Sequence, residues 1–285
     1  MFDRMVRRSI FAVLGAATAA PFGALNRFRV HGRSHLDGLP RTNVLFLANH
    51  LTYFFDVIAL HHAIASGRAS HLTGLRSPAG LSFIAARETM QSGALPRMFA
   101  MGGAVLVKRT WKEGAERVHR PADPDDVRRI GEALRGGWLI SFPQGTTRAG
   151  APVRRSAALL ALEHRPIIVP TRLTGFDRAF ERAGVTLRST GHDLGVRFGA
   201  PFQVTGDESP DALTAHIAAA LGLPHTSVAS DLARPHTSVA SDLGRPHTSV
   251  ASDLGLPRAH RAEAHAPVLH LRHARRRRAP HAARL

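Results

Sequence analysis

The chain of 285 residues contains no cysteine, only two lysines and no run of 18 or more apolar residues. Without cysteine it can form neither a disulfide scaffold nor a thiolate zinc site, and a thiol nucleophile is excluded. Without a long apolar run, no membrane-spanning helix is expected. The apolar and charged fractions, 44% and 21%, are ordinary for a globular protein and exclude disorder of the whole chain.

Positive charge dominates the chain. The formal net charge is +17, and nearly all of the cations are arginines. Residues 224–285 carry +6 of this charge and residues 1–223 carry +11, so the body is basic without its tail. We therefore expect attraction to polyanions, although charge alone does not choose between anionic lipid and nucleic acid.

The composition divides the chain into four segments. Residues 28–222 are long enough to bury the core of one domain. Residues 223–257 hold three copies of an 11-residue unit, and the proline in each copy argues against a coiled coil and predicts a disordered linker. Residues 258–285 include four consecutive arginines and predict a disordered basic tail. Residues 1–27 are interpreted as a membrane-associating segment.

The N-terminal segment is basic first and apolar afterwards. Arg4, Arg7 and Arg8 precede a mostly apolar stretch at residues 10–25. We interpret it as an interfacial helix whose arginines meet lipid head groups. The apolar side chains expected to reach lipid are Phe2, Met5, Val6, Phe11, Val13, Leu14, Phe22, Leu25 and Phe28. Two alternatives are a secretory signal peptide and a helix packed on the protein's own core.

Short apolar segments alternate with segments of helical periodicity along the middle of the chain. Strands are predicted at residues 43–48, 104–108, 138–142 and 167–173, and helices at 57–66, 126–135 and 156–163. This alternation predicts an α/β fold with a central mixed, mostly parallel sheet covered by helices.

A histidine and an aspartate follow the first predicted strand. His50 and Asp56 have five residues between them. A histidine that acts as a base needs a carboxylate on its second nitrogen, which holds one tautomer and stabilises the imidazolium. Asp56 is the candidate for this carboxylate. The pair alone is weak evidence, because Asp56 is also explained as a cap of the helix that follows.

Two further segments supply candidate contacts to anions. Residues 142–148, Phe-Pro-Gln-Gly-Thr-Thr-Arg, leave a predicted strand through a turn rich in backbone and hydroxyl donors, which suits a phosphate or a developing oxyanion. Residues 103–109, Gly-Ala-Val-Leu-Val-Lys-Arg, predict a strand ending in two cations able to hold a phosphate monoester. The alternative for the second segment is a strand with a solvated basic edge.

In this order the segments resemble the motifs of the glycerophospholipid acyltransferase family, whose best-known members acylate lysophosphatidic acid. The family motifs are His-x4-Asp after Asn, Gly-x-x-(Phe/Leu)-x-x-Arg, Phe-Pro-Glu-Gly-Thr-Arg and a later Val-Pro, which resembles residues 168–170 here. The resemblance covers about residues 28–205. It implies that His50 is the general base and Asp56 its partner. The substrate-binding residues it implies are Asn49, Lys108, Arg109, Gln144, Gly145, Thr146, Thr147 and Arg148.

The chain departs from the family pattern in two places. Five residues rather than four separate His50 from Asp56, and Gln144 replaces the usual glutamate. A bulged turn can absorb the extra residue, whereas a rigid helix would place positions six apart on different faces. Gln144 keeps hydrogen bonding but loses the charge, so it cannot act as a base.

The resemblance implies transfer of a fatty acyl group to a lysophospholipid hydroxyl, such as that of 1-acylglycerol 3-phosphate, at the cytoplasmic side of a membrane. Acyl-CoA or acyl carrier protein is the expected co-substrate, and no cofactor or metal is expected. One alternative is a lipid-binding or scaffold protein that has lost turnover through the two departures. Nucleic-acid binding through the tail is disfavoured, since the tail lacks interleaved aromatic residues.

Overall fold

Eight strands form one sheet in the computed structural model, which describes residues 2–65, 80–108 and 123–225. The strands are β1 (Arg27–His31), β2 (Val44–Ala48), β3 (Ser82–Ala86), β4 (Ala104–Val107), β5 (Trp138–Ser141), β6 (Ile167–Thr174), β7 (Asp193–Phe198) and β8 (Phe202–Gln203). The helices are α1 (Phe2–Ala19), α2 (Phe55–Ala65), α3 (Arg87–Met90), α4 (Ala94–Met101), α5 (Pro124–Gly136), α6 (Arg155–His164), α7 (Phe176–Ala179) and α8 (Pro210–Leu221). All the strands and helices that the sequence predicts between residues 43 and 173 are present.

The sheet is mixed and mostly parallel, as the sequence predicts. Its strand order is β1-β7-β6-β2-β5-β3-β4, and β8 pairs with β6 outside this path. The five strands from β6 to β4 are parallel to one another. β7 and β8 run antiparallel to β6, and β1 runs parallel to β7. The carboxyl ends of the five parallel strands therefore meet at one edge of the sheet.

Local signals in the sequence explain where two of the longer helices begin and end. The Asp123 side chain caps α5 by accepting a hydrogen bond from the Asp125 N–H, with proline in the first turn. The Ser209 side chain caps α8 in the same way. α8 ends at Gly222, whose φ of 61° is readily adopted only by a residue without a side chain.

Each face of the sheet carries its own hydrophobic core, because successive residues of a strand point to opposite faces. In β2, Phe46 contributes to the core beneath α1, α2 and α4. Leu45 and Leu47 contribute to the opposite core, which α5, α6 and α8 cover. The site described below lies at the edge that these two layers share.

The N-terminal helix packs on the protein's own core, which corrects part of the sequence interpretation. Phe11 and Phe22 were expected to reach lipid, but only 7% and 2% of their surfaces are exposed. Phe11 stacks on the His61 ring with centroids 4.1 Å apart, and Phe22 packs against the Phe176 ring. Burial of Phe11 in α1 and of Phe22 just after it holds the N-terminal segment against the domain. The opposite side of the segment stays apolar and exposed, with Val13 66% exposed.

Some of the predicted features lie outside the described residues. Only residues 223–225 of the predicted linker at 223–257 are described, and the basic tail at 258–285 is outside. All described residues belong to one compact unit. No helix within these residues is long and apolar enough to cross a bilayer.

Candidate active site

The two principal motifs meet because their strands are neighbours. β2 and β5 are parallel and in register, with Leu47 opposite Ser141. His50 follows β2 by two residues, and the turn at residues 142–148 follows β5 directly. Both motifs therefore emerge side by side at the carboxyl edge of the sheet, where sites of open α/β sheets usually lie.

The structure brings His50 and Asp56 together in spite of the additional residue between them. His50 Nδ1 lies 2.9 Å from Asp56 Oδ2. Residues 51–54 form an irregular turn, and α2 begins at Phe55, so the extra residue is absorbed before the helix. Asp56 is fully buried, whereas 15% of the His50 side chain is exposed. The carboxylate is thus enclosed, and the imidazole alone meets solvent.

Asp56 is surrounded by hydrogen-bond donors. Its Oδ2 accepts the backbone N–H groups of Leu51 at 2.5 Å and Thr52 at 2.9 Å, and its Oδ1 accepts the Thr52 hydroxyl at 2.7 Å. These bonds fit an ionised carboxylate, which only accepts. Because Asp56 only accepts, Nδ1 is the donor of the His50–Asp56 bond, and in the neutral imidazole Nε2 then carries the free lone pair. This is the tautomer that a general base requires.

Gln144 connects the two motifs through both ends of its side-chain amide. Its Oε1 accepts the His50 backbone N–H at 2.9 Å, and its Nε2 donates to the Ala151 carbonyl at 2.7 Å. Only 3% of Gln144 is exposed. A glutamate carboxylate could accept the first bond but could not donate the second. The glutamine that replaces the usual glutamate therefore makes a hydrogen bond to the Ala151 carbonyl that an ionised glutamate could not make.

Aromatic rings fix the plane of the His50 imidazole. The Phe142 ring stacks on it with centroids 4.1 Å apart and an angle of 17° between the planes. The Tyr53 ring lies 6.2 Å away at 26°. Sequence reasoning gave neither residue a role, although both lie in the motifs, because stacking depends on how the two loops meet.

Asn49 is engaged by the backbone of β6. Its Nδ2 donates to the Leu173 carbonyl at 3.0 Å, and its Oδ1 accepts the Leu173 N–H at 2.6 Å. Asn49 thereby ties the end of β2 to the neighbouring strand and anchors the residue before His50. A direct contact between Asn49 and substrate stays a prediction.

Some of the predicted substrate-binding residues in the turn after β5 line the cavity, and others do not. Gly145 adopts φ 63° and donates its N–H to the Phe142 carbonyl at 3.0 Å, so that group closes the turn. Gly145 and Thr146 line the cavity described below. Thr147 is buried, Arg148 is exposed, and neither lines that cavity. Thr146 is consequently the best-placed donor of this turn.

The predicted basic strand end is described only as far as Lys108, and Arg109 lies outside the described residues. Lys108 Nζ donates to Asp123 Oδ2 at 2.9 Å. This bond, followed by the bond from the Asp125 N–H, lowers the pKa of the partly exposed Asp123 carboxyl below its usual value. The Lys108 N–H also donates to the buried Asp126 at 2.7 Å. Lys108 is thus held in place by two carboxylates that border the cavity.

A cavity of about 420 Å³ opens beside His50. It arises where β3 and β5 separate, because these strands pair only at Ser82–Leu139 and Phe83–Ile140. Its polar lining includes His50, Tyr53, Thr146, Lys108 and Asp126, and its apolar lining includes Ile84, Val107, Ile130 and Leu160. This size and mixed lining are typical of a site for a small ligand.

Arg154 is a cavity residue that sequence reasoning missed. It lines the cavity beside Gly145, and its Nε donates to the Gln144 carbonyl at 2.9 Å. Its backbone N–H donates to the Pro143 carbonyl at 3.0 Å. The turn therefore folds back on Arg154, which lies six residues beyond the motif and had no sequence signal of its own.

The described part of the chain contains no group of three or more His, Asp or Glu side chains arranged to hold a metal ion. His61 and His62, adjacent in α2, are used in packing: His61 stacks on Phe11, and His62 Nε2 lies 2.9 Å from the Thr18 hydroxyl. Burial first, and then the neighbouring His62, lowers the pKa of His61 to about 4.

Comparison with known proteins identifies the family of the chain. A family model named Acyltransferase matches residues 27–174, just over half of the chain and the stretch that carries both motifs. The chain therefore belongs to the acyltransferase family, as the resemblance of its motifs to the glycerophospholipid acyltransferases indicated.

One solved structure with a similar fold is that of the 1-acyl-sn-glycerophosphate (LPA) acyltransferase PlsC from Thermotoga maritima. The TM-score is 0.51 at 15% sequence identity, and the alignment covers 75% of this chain and 77% of that chain. At this identity the likeness establishes the α/β fold. No curated protein matches the sequence.

Proposed function

We propose that this protein transfers a fatty acyl group from an acyl thioester to the hydroxyl of a lysophospholipid such as 1-acylglycerol 3-phosphate. The acyl donor is acyl-CoA or acyl carrier protein. The observation that carries the proposal is the His50–Asp56 pair at 2.9 Å, with His50 lining a cavity that has both polar and apolar walls. Membership of the acyltransferase family supports acyl transfer as the reaction type.

His50 acts as the general base in this proposal. Its Nε2 removes the proton of the acceptor hydroxyl while the hydroxyl oxygen attacks the thioester carbonyl, a role that contributes roughly 10²- to 10⁴-fold in rate. The tetrahedral intermediate collapses with loss of the thiolate, which takes the proton back from the imidazolium. Asp56 stabilises that imidazolium and keeps Nε2 unprotonated beforehand.

The remaining lining residues have two roles: the polar ones contact the reacting carbonyl and the acceptor, and the apolar ones contact the acyl chain. Thr146 at the turn stabilises the developing oxyanion, and the guanidinium of Arg154 favours an anionic acceptor. Lys108, which is paired with Asp123, contributes when an anion displaces that pair. The apolar lining formed by Ile84, Val107, Ile130 and Leu160 takes an acyl chain. Arg109 and Arg148 remain candidates for the acceptor phosphate.

The proposed setting is the cytoplasmic surface of a membrane, with the protein bound peripherally. The support is the exposed apolar side of the N-terminal segment at residues 1–27, which includes Val13 at 66% and Leu25 at 44% exposure, together with the basic charge of the body.

The test is an acceptor panel incubated with both donors. Purified protein receives radiolabelled acyl-CoA or acyl carrier protein together with lysophosphatidic acid, lysophosphatidylcholine or glycerol 3-phosphate. We expect product from lysophosphatidic acid, a loss of at least about 10²-fold in His50→Ala, and unchanged turnover in His216→Ala, an exposed histidine of α8. Equal rates for wild type and His50→Ala would refute the mechanism. Tight lysolipid binding without product would favour the scaffold alternative.

A further inference from the structure

A second concave surface lies away from the catalytic cavity, on the outer part of the sheet. We call it the basic groove, formed by β1, β6 and β7 with a volume of about 380 Å³. Its basic side chains are Arg27, Arg29, Arg172 and Arg197, together with the imidazole of His31. Among the described residues, Asp193 is the one carboxylate in its lining, so four arginines lie beside one acid.

The strand register places these side chains in rows across the sheet. In one row His31, Arg197 and Arg172 are direct neighbours on three adjacent strands. In the next row Arg29, Gly195 and Thr174 are neighbours. The Gly195 position contributes no side chain, and the Thr174 hydroxyl lies where its Cβ would be, so this row presents Arg29 beside a small polar surface. Neighbouring positions in a row are about 5 Å apart, within the span of two linked phosphate groups.

The groove is not neutralised by the protein itself. Arg27 donates to both carboxylate oxygens of Asp193, at 2.7 and 3.2 Å, and so occupies that acid. Within the described residues, no carboxylate forms an ion pair with Arg29, Arg172 or Arg197. Arg172 and Arg197 are moreover direct cross-strand partners, an arrangement of like charges that destabilises a sheet.

Protection of the sheet edge explains only part of this charge. β1 is an edge strand, and charged side chains on an edge discourage pairing with another chain. This accounts for Arg27 and Arg29. It does not account for Arg172 on β6 and Arg197 on β7, because both strands are paired along their two sides.

The orientation of the groove separates it from the α1 segment. Phe28 and Val30 of β1 pack on the core that contains Phe11 and Phe22 of the N-terminal segment. Arg27 and Arg29 alternate with them and must point to the opposite face of the sheet. The basic groove and the exposed side of α1 are therefore on opposite sides of the domain.

We propose that the basic groove is a binding site for a phosphate-bearing polyanion, separate from the catalytic cavity. Planar guanidinium groups bind phosphate oxygens in a bidentate manner, and an anion held by Arg197 and Arg29 also offsets the repulsion between Arg197 and its cross-strand neighbour Arg172. The phosphate belongs either to a soluble molecule or to a lipid head group, and the experiment separates these sources. The proposal does not depend on the acyltransferase reaction.

The soluble probe is inorganic pyrophosphate, titrated by calorimetry into the full chain at about 0.15 M ionic strength. The test variant is Arg29→Gln with Arg197→Gln. Arg172 is left intact because its Nη1 lies close to Gly222 at the end of α8. The matched control is Arg41→Gln with Arg135→Gln, two exposed arginines outside the groove that give the same change of charge. Thermal unfolding checks that both variants are folded.

We expect saturable binding by wild type, a dissociation constant raised about tenfold or more in the groove variant, and a change below about twofold in the control. The second arm measures sedimentation with phosphatidylcholine vesicles that contain or lack phosphatidic acid. If only the vesicles with phosphatidic acid bind in a groove-dependent way, the source is a lipid head group; if pyrophosphate alone does, the source is soluble. An equal loss in both double variants, or no groove-dependent binding in either arm, overturns the proposal.

Discussion

The polar groups at the carboxyl edge of the sheet have partners within the protein, whereas most of the charged groups in the basic groove are solvated. At the edge, Asp56 is enclosed by donors and Gln144 has a partner at each end of its amide. In the groove, Arg172 and Arg197 face each other in water across two strands. Burial explains the contrast, since an unsatisfied buried group costs about 1–3 kcal/mol whereas an exposed charge is solvated. Substitutions at the edge should therefore cost activity and stability, and substitutions in the groove should cost neither.

The largest effect is expected for Asp56→Asn. The amide can no longer enforce the Nδ1–H tautomer of His50, and it retains only one acceptor for the donors of Leu51 and Thr52. We expect turnover to fall roughly 10²- to 10⁴-fold. The measurement is kcat for acylation of lysophosphatidic acid. Asp125→Asn, an exposed carboxylate in the first turn of α5, is the control and should leave kcat unchanged. Similar rates in both variants would remove Asp56 from the mechanism.

The next effect concerns the packing of α1 on α2 and depends on pH. The pKa of His61 is near 4 in the folded protein and 6.5 without burial, so the unfolded chain binds the extra proton between these values. Folding is unaffected by this group above pH 6.5 and loses stability as the pH falls towards 4. The integrated loss is about 3 kcal/mol. Urea unfolding at a series of pH values measures it.

His61→Phe isolates the contribution of that histidine. The substitution keeps an aromatic ring against Phe11, which stacks on His61 at 4.1 Å, and removes the titrating group. We expect the variant to lose less stability than wild type between pH 6.5 and 4, by about the same 3 kcal/mol. Parallel curves for the two proteins would show that His61 is not buried as a neutral ring.

A smaller effect is expected for Gln144→Glu. The carboxylate keeps the bond from the His50 N–H but faces the Ala151 carbonyl with no proton to donate, which costs about 1–3 kcal/mol. The free energy of unfolding at neutral pH measures the loss. The loss should shrink as the pH falls, because a protonated carboxyl can donate to Ala151 again. Gln203→Glu, at an exposed glutamine of β8, is the comparison. An unchanged or increased stability of Gln144→Glu would show that the bond to Ala151 is dispensable.

The sequence predicts those elements whose apolar residues follow a regular pattern and are also buried in the fold. β2, β5 and β6 are apolar runs between turn signals, and parallel strands bring the segments that follow them to one edge. Gln144 could not be interpreted in this way, because its bonds to His50 and Ala151 depend on how two loops meet. The same holds for Phe11, since an amphipathic helix at an interface and one on a core share a pattern. β1 was missed because alternating arginines obscure its apolar positions.

The smallest effect, and the one that separates the two regions most directly, is expected in the groove. Arg197→Gln removes one of two like charges that are opposite each other across β6 and β7. The substitution should raise Tm by about 1 °C at low salt, because repulsion is relieved and no ion pair within the described residues is lost. The gain should vanish at about 1 M salt, where the Debye length is about 3 Å. Arg41→Gln, which removes an exposed arginine on the loop before β2, should leave Tm unchanged at both salt concentrations. A fall of several degrees in Arg197→Gln would mean that the groove arginines stabilise the fold, and the contrast between the two regions would then fail.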